Sequence, residues 1–96
     1  MKNKLDISTF VNAITETSII NGLIERAKRR RKELKLSQKE LSVKSGVSYS
    51  SIRRFETSGE ISLTSLIKIA HALNSMEDFN NLFKYKQITN LKDYNP

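Results

Sequence analysis

The 96-residue sequence predicts an all-α fold: a five-helix domain with an extra amphipathic helix before it and a short tail after it. Apolar residues recur at spacings of three and four, and no segment alternates apolar and polar residues as a half-buried strand would. Serines that can cap helices precede several of these periodic stretches, and glycines follow two of them. We therefore divide the chain into an N-terminal helix (1–17), a central domain (18–83) and a flexible basic tail (84–96).

The N-terminal segment has the pattern of an amphipathic helix over residues 6–17, with Asp6 as a candidate N-cap. Its apolar residues fall at positions i, i+3, i+4 and i+7, namely Ile7, Phe10, Val11 and Ile14. Such a stripe buries one helix face. The pattern leaves two uses open, which are packing against the protein's own core and binding another chain.

The first helix of the central domain is predicted over residues 18–35. An apolar stripe runs along it through Ile20, Leu23, Ile24, Ala27 and Leu34. Residues 26–35 also hold seven of the 17 Lys and Arg residues and a single acidic residue, Glu33. This stretch is either a solvated face or a phosphate-binding surface, and its charge alone does not decide between them.

Two short helices joined by a tight turn follow. Ser37 and Glu40 form a predicted capping box, and Gly46 is the expected left-handed terminator of that helix. Ser48 then caps a helix that Gly59 closes. A basic helix followed by two short helices and a glycine-containing turn is the helix-turn-helix arrangement, which places its second helix in the DNA major groove.

Two further helices complete the predicted domain. Ser62 caps the fourth, whose apolar face we place at Leu63, Leu66, Ile67, Ala70 and Leu73, with Ile69 beside it. The fifth begins after Asn74 or Ser75 and carries Phe79, Leu82 and Phe83. The single histidine, His71, lies on the fourth helix and is expected to be an ordinary packed or surface residue.

Composition excludes several classes of protein. The formal net charge of +7 favours an anionic partner. There is no cysteine and only one histidine, so neither a metal site nor a cofactor is expected. The sequence has no Gly-rich phosphate loop and no pair of carboxylates spaced to act with a nucleophile, which makes an enzyme the weakest hypothesis. No apolar run is long enough to span a membrane, and no signal peptide begins the chain, so we expect a cytoplasmic protein that does not bind membranes.

A helical wheel sorts the residues of the third domain helix. With Ile52 at the centre of the buried side and 100° per residue, the outer half carries Ser50, Arg53, Arg54 and Thr57. Tyr49 and Ser51 flank that half, but both lie in the first turn, which reaches deepest into the groove. These six residues are the candidate DNA-contacting set.

The run from Leu36 to Glu56 resembles the XRE family, the Cro and phage-repressor class of helix-turn-helix proteins. The resemblance is carried by Gln38, by the Glu40-Leu41 pair, by the Gly46-Val47-Ser48 turn and by Ile52 and Glu56, and it extends over residues 20–83. Ser42 departs from the alanine usual in the family but is similarly small. Val43 also departs, being apolar where an exposed residue is expected.

The resemblance implies roles for individual residues. Tyr49, Ser50 and Arg54 match positions that read base edges, and Arg54 suits a bidentate bond to guanine. Arg31 and Glu56 match a structural ion pair. The Gln38 position bridges a DNA phosphate and the recognition helix. Together with the outward residues of the wheel and the basic run, this gives the predicted phosphate contacts Gln38, Ser51, Arg53, Thr57, Arg29 and Arg30.

Partners follow from the same comparison. One recognition helix contacts about one half-site, so we expect a homodimer on double-stranded DNA with a palindromic operator. Residues 46–63 and 77–83 look like the small HipB-like antitoxin repressors encoded beside HipA-type kinase toxins, which would make a toxin a second partner. The alternatives are a standalone bacterial or phage regulator and, less consistent with the exposed polar face, a helical protein-interaction adaptor.

Overall fold

A computed structural model describes residues 14–87 of the chain. Over this range the backbone forms five helices and no strand. In chain order they are α1 (Glu16–Glu33), α2 (Gln38–Ser45), α3 (Tyr49–Ser58), α4 (Leu63–Ala72) and α5 (Met76–Asn80). The predicted all-α fold is confirmed for the described residues.

The start of α1 lies two residues before the predicted Ser18. Thr15 is its N-cap: the Thr15 hydroxyl accepts from the Ser18 amide at 3.0 Å, and the Ser18 hydroxyl accepts from the Thr15 amide at 2.9 Å. Glu16 and Thr17 therefore belong to α1 and not to the helix predicted over residues 1–17. Ile14 is non-helical and 82% exposed. The rest of the predicted N-terminal helix lies outside the described residues.

The core is built where α2 packs against α3 and α4, and α1 against α3. Every one of these four helices contributes apolar side chains to one cluster, which comprises Ile24, Leu41, Val47, Ile52, Phe55, Ile69, Ala72 and Leu73. Burying a side chain of the larger types stabilises the fold by about 1.5 to 3 kcal/mol. Because α3 supplies Ile52 and Phe55 from its inner side, its orientation is fixed by the core.

The C-terminal half of α4 buries the predicted face. Ala70 and Leu73 of that face are buried, as is Ile69 beside it, and Leu66 packs against the core. The prediction is wrong for Leu63, the first residue of the helix, which is 65% exposed.

The last helix is shorter than predicted. α5 ends at Asn80, so Leu82 and Phe83 follow it in a turn and are 56% and 98% exposed. Residues 84–87 are non-helical and exposed, and the remainder of the predicted tail lies outside the described residues.

Gly59 is required both by backbone conformation and by space. It ends α3 with φ of 83°, in the left-handed region that favours glycine. A Cβ atom at this position would also clash with Cγ2 of Ile20 on α1. The turn after α3 therefore lies directly against α1.

Candidate nucleic-acid interface

The predicted capping box at the start of α2 is present. The Ser37 hydroxyl accepts from the Glu40 amide at 3.0 Å, and the Glu40 carboxylate accepts from the Ser37 amide at 2.8 Å. This arrangement satisfies two backbone donors at the first turn. It also fixes Gln38 as the first residue of the helix.

The turn between α2 and α3 is held by serine hydroxyls. The amide of the buried Val47 donates to the Ser45 hydroxyl at 3.1 Å, and the Val47 carbonyl accepts from the Ser42 hydroxyl at 2.6 Å. Ser48 then caps α3 by accepting from the Ser51 amide at 3.1 Å. The Ser42 bond accounts for a hydroxyl where the family usually has alanine, because it satisfies a backbone carbonyl of the turn. Val43 is 87% exposed, and nothing in the structure explains an apolar side chain there.

Arg31 and Glu56 form a buried, bidentate ion pair. Arg31 donates from Nε to Oε2 of Glu56 at 2.8 Å and from Nη2 to Oε1 at 2.9 Å. Its Nη1 donates to the Leu36 carbonyl at 2.8 Å. Two parallel bonds between a guanidinium and a carboxylate restrict both distance and orientation. The pair therefore connects α1 to α3 in one geometry.

Gln38 joins the same network. Its Nε2 donates to Oε1 of Glu56 at 2.8 Å, so the first residue of α2 is hydrogen-bonded to α3. The Gln38 side-chain oxygen keeps its acceptor capacity, and the amides of the first turn of α2 lie beside it. Glu56 is thus the common acceptor for α1 and α2.

The pKa of Glu56 lies below its ordinary value as a balance of opposing effects. Burial by itself raises the pKa of this carboxyl. The hydrogen bonds from Arg31 and Gln38, together with the charges of Arg31 and Lys28, outweigh burial and lower the pKa. Glu56 is therefore ionised in the folded protein at neutral pH.

This shift predicts the pH dependence of stability. A carboxyl whose pKa is lowered on folding contributes stability above its unfolded pKa and loses it as pH falls through the folded value. We expect the free energy of unfolding, measured by urea titration, to fall as pH drops below 4.5, the ordinary value for this group. The Glu56→Gln variant should show a smaller fall over the same range. An equal fall in both proteins would contradict the assignment to Glu56.

The outward face of α3 begins with Tyr49. The residue is 37% exposed, and the Lys39 ammonium and the Arg53 guanidinium lie 5.4 Å and 5.6 Å from the centre of its ring. Cations at such distances interact favourably with the ring face. Ser50 is exposed one residue further along, and its hydroxyl lies 3.3 Å from that of Ser48. Sequence reasoning missed Lys39, because only the packing of α2 against α3 brings it next to Tyr49.

Arg54 is exposed and has a partner beyond the end of its helix. Its Nη2 lies 2.8 Å from Oε1 of Glu60, and both side chains are well exposed, at 70% and 64%. Sequence reasoning missed Glu60, since a helical wheel ends where the helix ends. Gly59 turns the chain so that Glu60 returns to the side of Arg54. One guanidinium nitrogen is thereby held while the others are free to bind.

The remaining predicted contacts on α3 lie around this face. Ser51 lines a shallow cleft together with Arg54 and Glu60. Thr57 is exposed and donates its hydroxyl hydrogen to the Arg53 carbonyl at 2.8 Å. Its oxygen retains acceptor capacity only, so the Thr57 hydroxyl must rotate away from that carbonyl before it can donate to a phosphate.

The structure does not bring Arg29 and Arg30 together with this face. Arg30 donates from Nε to the Leu73 carbonyl at the end of α4, at 3.1 Å. Arg29 and Arg30 lie 3.9 and 3.4 Å from Glu33. On a helical wheel Arg29 is about 200° away from Arg31, the residue that faces α3. Besides Arg31, the α1 cation whose charge acts on Glu56 of α3 is Lys28.

Comparison with known families assigns this arrangement. A family described as helix-turn-helix, of the XRE type, matches residues 28–79, more than half of the chain. This chain belongs to the helix-turn-helix family. The match spans α2, the turn and α3, and it also includes the C-terminal end of α1 and all of α4. Membership identifies a DNA-binding transcription regulator. No curated protein and no solved structure matches the chain.

Two further observations on the helix-turn-helix protein concern metal sites and membrane-spanning helices. Within residues 14–87, no three His, Cys, Asp or Glu side chains are grouped so that they could hold a metal ion. None of the helices in the same range is long and apolar enough to cross a membrane.

Proposed function

We propose that the protein is a sequence-specific transcriptional repressor that reads its operator with the exposed face of α3. The observation that carries this proposal is that α3 is bonded to the rest of the domain on its inner side and exposes polar residues on its outer side. Glu56 on its inner side is bonded to α1 and α2, while Tyr49, Ser50 and Arg54 point outward. A rigidly mounted helix with an exposed polar face is what readout of base edges in the major groove requires.

Three side chains supply the base contacts in this proposal. Arg54 offers the paired donors that match O6 and N7 of guanine. Ser50 is short and both donates and accepts. Tyr49 contacts a thymine methyl group or a phosphate, and Lys39 and Arg53 beside its ring add positive charge at the same place.

Phosphate contacts position the helix. Gln38 stands at the N-terminus of α2, where free amides and the helix dipole favour an anion. Ser51, Arg53 and Thr57 flank the base-reading residues on α3. To these we add Lys39. Since the ion pair network joins Gln38 to α3, a phosphate bound at α2 also fixes the position of the base-reading face.

Although the structure does not bring Arg29 and Arg30 to the α3 face, we propose that they contact phosphates further along the DNA, and that these contacts add affinity without specificity. Replacing both with Gln is expected to weaken binding to operator and random DNA alike, and to reduce the salt slope by up to about one unit for each phosphate that the variant no longer neutralises. Fluorescence anisotropy over a series of salt concentrations measures both. The control is Arg26→Gln, one turn earlier on the same helix face. If the double variant binds DNA no more weakly than this control, the two arginines make no phosphate contact.

A homodimer on a palindromic operator completes the proposal. One domain of this size covers about one half-site, so a two-fold dimer provides specificity and predicts half-sites one helical turn of DNA apart. The protein then acts in the cytoplasm, on the DNA of the nucleoid.

Selection from a random double-stranded DNA library tests this function. The full-length protein is expected to enrich a palindromic sequence with a guanine in each half-site. Enrichment that does not exceed the starting library, with weak and strongly salt-dependent binding throughout, would overturn the repressor proposal. That outcome would favour the alternative of a helical adaptor whose basic surface meets an acidic protein.

The antitoxin role is the narrower form of the proposal. Its support is the resemblance of residues 46–63 and 77–83 to HipB-like antitoxins, together with the exposure of Leu82 and Phe83 after α5. We propose that the protein represses its own operon and binds a kinase-type toxin encoded beside it. Co-expression with the neighbouring reading frame should yield a stable complex. A neighbour that is not a kinase, or that does not bind, leaves a standalone regulator of bacterial or phage origin.

A further inference from the structure

A largely apolar groove runs along one side of the domain. It lies between α1, α4 and α5 and has a volume of about 660 Å³. Its apolar lining includes Ile19, Leu23 and Ala27 from α1, Leu66 and Ala70 from α4, and Phe79 from α5, and charged side chains of α1 and α5 line it as well. Ile19 is 47% exposed. The described part of the chain thus leaves open an apolar surface at the edge of its core.

We propose that this groove binds the protein's own N-terminal segment, through the apolar stripe of Ile7, Phe10, Val11 and Ile14. The segment acts in cis, covering the groove of the chain to which it belongs. This inference does not depend on DNA binding.

The position at which the segment joins the domain supports this occupant. Ile14 directly precedes the N-cap Thr15, and Ile19 lines the groove about one turn into α1. From Ile19 to Glu33, the groove-lining part of α1 is about 21 Å long at 1.5 Å per residue. The 13 residues before Ile14 would span about 20 Å as a helix, which is nearly the same length. The segment therefore reaches the groove without crossing the α3 face.

The chemistry of the segment also fits. Ile7, Phe10, Val11 and Ile14 share one face at helical spacing, and the charged residues Lys2, Lys4 and Asp6 all precede these four. A tethered segment meets the groove at an effective concentration in the millimolar range for a short linker. A second copy of the chain has no such tether, and the N-terminal segment is therefore favoured over it.

Disulfide trapping tests the position of the segment. The chain has no cysteine, so a pair introduced by substitution is the only one present. The test pair is Val11→Cys with Ile19→Cys, and the matched control is Val11→Cys with Asn21→Cys. Positions 19 and 21 are two residues apart but about 200° apart around α1, on the groove side and on the opposite side. The full-length protein is oxidised mildly and followed by mass and by non-reducing gel.

The proposal predicts an intrachain disulfide that forms at least about tenfold faster in the test pair than in the control, a ratio that corresponds to a clear preference for one side of α1. Equal rates in the two pairs would overturn it, because they would mean that the segment has no fixed side. A predominantly interchain disulfide would also overturn it and would assign the groove to a second copy.

A thermal measurement gives an independent readout that requires no cysteine. Val11→Asp places a charge on the apolar face of the segment, whereas Asn12→Asp places one about 100° away on the polar side. We expect the melting temperature to fall by about 5 °C or more for Val11→Asp alone, at every protein concentration. Equal melting temperatures for the two variants, or a difference that disappears at low protein concentration, would contradict packing in cis.

Discussion

The Glu56→Ala variant is expected to lose about 3 to 5 kcal/mol of its free energy of unfolding, because it leaves the Arg31 guanidinium buried without its charge partner. The Glu56 and Arg31 side chains are only 6% and 10% exposed, so water replaces little of the missing interaction. The variant also removes the acceptor for Gln38. Urea unfolding followed by circular dichroism measures the change.

Two further variants show whether the loss of stability comes from a buried, unpaired charge. Glu60→Ala also removes a carboxylate paired with an arginine, but that pair is exposed, so its removal should change stability by about 0 to 1 kcal/mol. Replacing both buried partners, Arg31→Met with Glu56→Leu, should recover much of the stability, since no unpaired charge is left. If Glu56→Ala is as stable as Glu60→Ala, the buried network does not hold α3 in the way described.

Arg54→Ala is expected to weaken operator binding by about 1 to 3 kcal/mol and to relax the preference at one base pair of each half-site. Affinity for random DNA should change little, because a base contact contributes mainly to specific binding. Titration of the selected operator, its single-base variants and random DNA provides the comparison.

The neighbouring Arg53→Ala is the control for Arg54. It removes the same charge from the same helix, yet it should lower affinity for all sequences similarly, as a phosphate contact does. An equal decrease in affinity for operator and random DNA with Arg54→Ala would make Arg54 a phosphate contact as well, and base readout would then rest on Tyr49 and Ser50.

Local signals in the sequence predicted the helix-turn-helix well. The capping box at Ser37, the glycine at position 46 and the cap at Ser48 act through bonds within a few residues, so the sequence contains all that is needed to place them. The outward face of α3 was also predicted from local information, namely the helical spacing of its residues around Ile52. By contrast, helical spacing also placed Leu63 on the buried face of α4, but the structure leaves this first residue of the helix exposed, because its burial depends on neighbours outside the helix.

The residues that sequence reasoning missed at the interface are defined by tertiary geometry. Glu60 reaches Arg54 only because Gly59 turns the chain, and Lys39 reaches Tyr49 only because α2 packs on α3. The basic run on α1 was predicted from the sequence only in part. Its charge is evident from the sequence, but which cations face α3 depends on the orientation that Arg31 fixes, and that places Arg29 and Arg30 elsewhere.

The central claim, that the exposed face of α3 binds the operator, is tested most directly by NMR. Amide shifts of the full-length protein are followed while the selected operator is added. We expect the largest changes in the first turns of α3 and α2, around Tyr49 and Gln38. Large changes confined to the groove between α1, α4 and α5, with α3 unchanged, would contradict this claim.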